Sequence, residues 1–378
     1  MKKFTALMLL LLMLGCSTVS DETASAKPQA QNESALKNSM ELEFATEFSV
    51  DYYEDGYKLI TLGDESRFLI IPEGSEAPKD IDSDITLLNQ PIKNIYLTAT
   101  SAASFFDGLG HLDAVRLSGT RADGWYIDSV KEAMQSGEML YAGKYSEPDY
   151  ELILDEGCSL AVQSTMIAKA SQVKEKLEET GIAVLVDQSS HEKHPLGRAE
   201  WIKLYAALFN EEQKAQQLFD DQVKYMNAAS DLKDDRKTVA FFHINSAGQV
   251  VVRRSSDYIS RMIELAGGDY VFEDSNQKGD VKATETIEME SFFAAAGEAD
   301  ILIYNGTIVD GLETVEQLTE QNGLLADFKA VRENSVWCTT QSMFQDTMQH
   351  GKMITDFHTV FTDLQPDEGQ LKYIYRLK

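Results

Sequence analysis

The rhythm of apolar and polar positions changes five times along the chain. An apolar run from Phe4 to Leu14 follows the basic pair Lys2 and Lys3. Residues 17–40, "STVSDETASAKPQAQNESALKNSM", hold no aromatic residue and little apolar surface to bury, so they read as a disordered tether. "FSVDYY", "YKLITL" and "RFLIIP" then alternate with period two around the turn Glu54-Asp55-Gly56, which predicts a β-meander over 44–72 within a segment 41–80. From 81 to 195, the strands "IKNIYLTA", "AVRLSG", "SLAVQS" and "AVLVD" alternate with helical spacings at 101–109, 129–134, from 149 and 173–180. From 196 to 231 helical spacing runs on without a break, with Trp201, Leu204, Tyr205, Leu208, Phe209, Leu218, Phe219 and Val223 on the apolar side. The alternation resumes over 232–378, with the strands "TVAFFHI", "QVVVR", "DILIYN" and "SVWCT" between helices from Asp257, at 289–296, from Glu313 and at 352–361.

Strands alternating with helices build mostly parallel sheets covered on both faces. A helix of about 30 residues would be about 45 Å long, longer than a small domain is wide, and so reads as a connector. The expected fold is α/β: two Rossmann-like lobes joined by a single long spine helix, with a ligand groove between them.

The apolar run is about half the ~20 residues that a spanning helix needs. It therefore reads as a signal region rather than a membrane anchor, and it ends Met13-Leu14-Gly15-Cys16 without an A-x-A cleavage site. That ending resembles a lipobox, although Met13 and Leu14 depart from its commoner residues. The resemblance makes residues 1–16 a lipoprotein signal and Cys16 the acylated N-terminus, extracytoplasmic and tied to the bacterial cell membrane through lipid only.

The 378 residues carry 62 acidic against 34 basic side chains, a formal charge of −28, which repels phosphate backbones and excludes nucleic acid as a partner. Besides Cys16, the cysteines are Cys158 and Cys338, each inside an apolar segment and expected as a buried free thiol. No nucleophile elbow or phosphate-loop motif occurs, and "GLGHLD" lacks the third glycine of a dinucleotide site. "HEKH" at His191 to His194 is one residue short of a zinc-protease motif, so neither a catalytic residue nor a metal site is expected.

Several stretches, in order, resemble the substrate-binding proteins of ABC importers for ferric siderophores, haem and cobalamin: "YLTATSAASFFDGLGHLDAVRLSG", "GKYSEPDYELILDEGCSLAV", "KLEETGIAVLV", "ISRMIELAGG" and "EMESFFAAAGEADILIY". The resemblance covers about Ile92 to Asp363 and does not account for the meander. It implies a binding protein, not an enzyme, without a cofactor of its own, working as a monomer with a permease dimer. It also singles out Glu151 and Glu290, each in the first turn of a helix, as permease-docking acids. A lipid-anchored surface hydrolase is the reading from another class.

In doubly wound sheets ligands lie beyond the carboxyl ends of strands. The loops there offer Arg121, Trp125 and Tyr126 after "AVRLSG", Arg253, Arg254 and Tyr258 after "QVVV", and Met343 and Phe344 after "VWCT". Flat aromatic and thioether surface suits a bulky macrocycle or aryl chelate, and guanidinium forks suit carboxylate or catecholate oxygens. A ferric siderophore is the expected ligand, with haem or cobalamin as the alternative.

Overall fold

A computed structural model describes residues 35–229, 236–273, 282–308, 311–363 and 366–378. Cys16 and most of the tether lie outside the described residues. Within them, the first sheet contains β1 (Leu36–Ser39), β2 (Phe48–Tyr53), β3 (Lys58–Leu62), β4 (Arg67–Ile71) and β5 (Ile85–Asn89), in that spatial order. The meander of β2 to β4 is as the alternation predicts. Two flanking strands extend it: β1 falls where the composition reads as tether, and β5 runs parallel to β4.

The second sheet has the order β12-β11-β6-β7-β8. Its strands are β6 (Ile95–Leu97), β7 (Val115–Ser118), β8 (Leu140–Tyr141), β11 (Leu160–Ser164) and β12 (Ala183–Asp187), all parallel. A small hairpin, β9 (Gly143–Lys144) and β10 (Glu147–Pro148), stands beside it. Helices α1 (Ala103–Leu109), α2 (Asp128–Ser136), α3 (Tyr150–Asp155) and α4 (Ser171–Glu179) complete the alternation.

The segment read as one long helix is three: α5 (Pro195–Glu200), α6 (Ile202–Phe209) and α7 (Glu212–Ala228). Asn210, at φ 60°, ends α6 in the left-handed conformation that asparagine tolerates at a helix end, so the connecting helix proper begins at Glu212. Every residue from Ile202 to Leu208 is buried. A helix buried all round needs partners on every side, and the first sheet supplies one of them. Phe48 packs edge-on against Trp201 at 5.1 Å, while Phe105 of α1 stacks on Tyr205 at 5.2 Å. The 41–80 segment is therefore no separate domain; its strands share one core with α6, α1 and the second sheet.

The second lobe is a mixed sheet of order β16-β14-β13-β17-β18-β19, with β15 beside β13. Its strands are β13 (Lys237–Ile244), β14 (Val250–Arg253), β15 (Gly268–Tyr270), β16 (Thr284–Ile287), β17 (Ile301–Tyr304), β18 (Val336–Thr339) and β19 (Ile374–Arg376). Helices α8 (Tyr258–Leu265) and α12 (His350–Thr362) cover one face, and α9 (Met289–Ala296), α10 (Val315–Gln321) and α11 (Lys329–Arg332) cover the other. Cys158 and Cys338 are free and buried. No helix among the described residues is long and apolar enough to cross a membrane.

Candidate site between the lobes

The two lobes meet at a cluster of charge that begins on α5. His194 caps this helix, its Nδ1 accepting from the Leu196 N–H at 3.2 Å, and Pro195 fits the first turn because it has no N–H to satisfy. Arg198 donates from Nη2 to the Ser190 carbonyl at 2.6 Å and from Nε to the Glu192 carbonyl at 3.2 Å. Its guanidinium lies 3.5 Å above the ring of Tyr258 at the start of α8, a stacked contact between lobes.

Asp257 caps α8, accepting from Ile259 N–H at 3.0 Å, and stands 3.7 Å from Arg253 Nη1. Arg253 in turn lies 5.1 Å over the ring of Phe344. Burial lowers the pKa of Arg198, and Arg253 beside it lowers it further, against Tyr258, Asp257 and Asp187, which raise it. The same positive surroundings act on the histidines. Burial and then Arg198 push His350 down to about 3, burial and then Arg261 push His194 down to about 4, and burial and then Arg253 lower His243. These rings are neutral near pH 7, so the charges acting on Arg198 are the Arg253 guanidinium on one side and the carboxyl groups of Asp257 and the buried Asp187 on the other.

The segment following β18 crosses to the first lobe. Gln345 accepts from the Tyr126 N–H and donates to the Gly124 carbonyl, both at 2.8 Å. Met348 N–H donates to Ser104 Oγ at 3.2 Å, and His350 Nδ1 is 2.9 Å from the Pro195 carbonyl. On the first-lobe side the guanidinium of Arg121 sits 4.1 Å over Tyr141, and Lys131 lies 5.2 Å from the ring of Tyr126, which is 36% exposed.

The residues expected from the sequence therefore divide. Arg253, Tyr258 and Phe344 join the cluster, Tyr258 with only 5% of its surface exposed, whereas Arg121 and Tyr126 are exposed on the first lobe. Arg253 arrives by a different route from the one expected, because β14 runs antiparallel to β13 and its carboxyl end does not point with the parallel strands. Arg254 is half-buried, its N–H bonded to the Ala283 carbonyl. Trp125 is instead core: it has no exposed surface, and its indole N–H donates to Ser118 Oγ at 3.1 Å. Met343 is likewise fully buried, in the second lobe's core.

Arg198 was missed because its segment reads as the start of a long helix; Gly197, a poor helix former beside it, was the available signal. Glu151 and Glu290 are both exposed in the first turns of α3 and α9. Their acidic neighbours are occupied: Asp149 caps α3, and Glu288 accepts from Gln249 Nε2 at 2.8 Å. His191 and His194 do not converge, since His194 stacks on Phe44 with ring centroids 4.5 Å apart while His191 is exposed. Among the described residues no three His, Cys, Asp or Glu side chains are grouped to hold a metal. A cavity of about 450 Å³ lies elsewhere, between β5 and the start of β12, lined by Leu87, Leu88, Ile92, Glu178, Ile182 and Val184.

Two α/β lobes, a connecting helix and a charged cluster between the lobes define a two-lobed binding protein. Residues 97–342 match the model of the periplasmic binding protein family that serves iron-complex, haem and vitamin B12 import, and the chain belongs to that family. Two uncharacterized lipoproteins of Methanocaldococcus jannaschii are similar in sequence. One is 22% identical over 350 residues, 84% of this chain and 81% of the relative; the other is 23% identical over 386 residues, 96% and 95%. Among solved structures, the periplasmic haem-binding protein HutB of Vibrio cholerae has a TM-score of 0.57 at 16% identity, covering 70% of this chain and 97% of that one. The periplasmic vitamin B12 binding protein BtuF of the same organism gives 0.50 at 14%, covering 71% and 98%.

Proposed function

We propose that this protein captures a bulky anionic iron chelate of the ferric-siderophore type between its lobes and passes it, chemically unchanged, to the permease dimer of an ABC importer. It acts outside the cell as a monomer held to the membrane by the acylated Cys16. The observation that carries this reading is the pair of guanidinium groups set over aromatic rings where the lobes meet, Arg198 over Tyr258 and Arg253 over Phe344. Guanidinium groups held over aromatic rings favour an anion with a flat face, such as a catecholate or carboxylate chelate. Tyr258 and Phe344 supply the rings, and Arg121 and Tyr126 extend the wall on the first lobe. Arg254 is the further candidate from the same loop. Glu151 and Glu290, one exposed acid on each lobe, are the proposed contacts to basic groups on the permease.

The test is the absorption spectrum of the protein purified from its own cells. A broad charge-transfer band supports the ferric chelate, whereas a Soret band assigns haem and a corrin spectrum assigns cobalamin. Arg198→Ala with Arg253→Ala should abolish retention of the chromophore, and retention by that double variant would remove the cluster from the binding site.

A further inference from the structure

Residues 41–47 form a strap across α5, outside the region that matches the family model. The N–H groups of five consecutive residues in it point at two buried carboxylates. Glu43, Phe44 and Ala45 donate to Glu200 at 2.8–2.9 Å, and Thr46 and Glu47 donate to Glu192 at 2.9 and 3.0 Å. The Thr46 hydroxyl and the Trp201 indole N–H, each at 3.1 Å, complete the shell around Glu192. The fit is close: a Cβ added to Gly197 would lie 3.0 Å from the Phe44 carbonyl oxygen and 3.2 Å from Glu192 Oε2. This explains a glycine inside a six-residue helix.

Glu192 faces two ways. Its side chain belongs to the strap, while its carbonyl holds Arg198 Nε at 3.2 Å. A buried carboxylate that loses its donors seeks the nearest cation, and a carboxylate and a guanidinium form the strongest such pair. Glu200 already has Lys203 at 2.7 Å. For Glu192, the cation held by the same residue is Arg198, which donates from Nε to its backbone carbonyl.

We infer that the strap is a positioning element of the ligand site: by occupying the Glu192 carboxylate, it keeps that acid from pairing with Arg198 and leaves the guanidinium for an external anion. The inference rests on Arg198 being a ligand group, as proposed above. It adds that a seated N-terminal segment keeps the site competent and a detached one closes it with an internal counter-ion.

The test compares the wild-type protein, Thr46→Pro, which removes one N–H from Glu192, and Thr46→Pro with Glu192→Gln. The gentler Thr46→Val, which removes only the hydroxyl donor, serves if the proline variant does not fold. The ligand-free readout is the ¹⁵Nε–¹H resonance of Arg198. It should move in the Thr46 variant and return when Glu192 becomes the neutral amide. With ferric tris-catecholate as the probe, affinity should fall by about tenfold in the Thr46 variant and recover in the double variant. An unmoved resonance, or one that Glu192→Gln does not return, overturns the inference, because a merely loosened helix would not be rescued by a second substitution. Failure of the wild type to bind the catecholate counts instead against the ligand class, and the resonance still decides the role of the strap.

Discussion

Replacing Glu200 by alanine should be among the most damaging single changes in the first lobe. Its side chain is fully buried and accepts three backbone N–H groups, from Glu43, Phe44 and Ala45, as well as the Lys203 ammonium. Leaving a buried donor unsatisfied costs about 1–3 kcal/mol, and breaking one side of a buried ion pair about 3–5 kcal/mol. The penalties overlap because the strap is at the surface and can lift to meet water, so the expected loss is about 4 kcal/mol. That is a large share of the ~5–15 kcal/mol that holds a typical protein folded. Glu200→Gln keeps one acceptor oxygen and should lose about 2 kcal/mol. Adding Lys203→Met to Glu200→Ala should return part of the loss, since the orphaned ammonium goes with it. Urea unfolding followed by circular dichroism measures all three, and protease cleavage within residues 41–47 reports whether the strap has lifted. A Glu200→Ala loss below about 1 kcal/mol, with the strap still protected, would refute the assignment of these hydrogen bonds as a stabilising clamp.

Three other outcomes follow from the geometry. His350 and His194 are held near 3 and 4, below the ~6.5 of an unfolded chain, so below pH 6.5 the unfolded state binds more protons. Their contribution is complete above about pH 6.5 and is lost as pH falls towards these values, by up to about 1.4 kcal/mol per pH unit for each ring. His350→Gln should flatten the slope of unfolding free energy between about pH 6.5 and 4.5, and an unchanged slope would exclude His350 as a source. Trp125→Phe should lower stability by about 1–2 kcal/mol through the lost indole hydrogen bond and volume, with chromophore retention unaltered; lost retention at full stability would return Trp125 to the ligand wall. Glu151→Lys with Glu290→Lys should leave ligand affinity intact while uptake and stimulation of the transporter's ATPase collapse, and normal uptake would remove both acids from docking.

The repeating order of strands and helices was legible because burial imposes period two on half-covered strands and 3.6 on helices. Local chemistry also marks several ends: Asp149 and Asp257 cap their helices, and Gly267 closes α8 at φ 91°. What the string hid was set by contacts distant in sequence. Ile202–Leu208 satisfies a helical pattern, but its burial on every side depends on a sheet more than a hundred residues earlier, and only Asn210 hints that the helix stops. Leu36–Ser39 has no strong strand preference and is a strand through its pairing with β2. Trp125 and Tyr126 are adjacent, yet one turns into the lobe and the other outward, a choice that the position after a strand does not determine. Arg198 is one of 34 basic residues until Tyr258 and Arg253 come beside it from the other lobe.

The packing of α6 between the first sheet and the helices α1 and α7 also sets an order of assembly. A polypeptide emerging N-terminus first presents β2 to β5 with their apolar faces bare, because the helix they cover has not yet appeared. Glu43 and the Glu200 carboxylate that holds it are 157 residues apart. Long-range closures of this kind slow folding and leave strand edges exposed to pairing with other chains. The first sheet therefore completes its core only when α5 and α6 arrive, and until then its bare strands are the part of the chain most open to pairing with other chains.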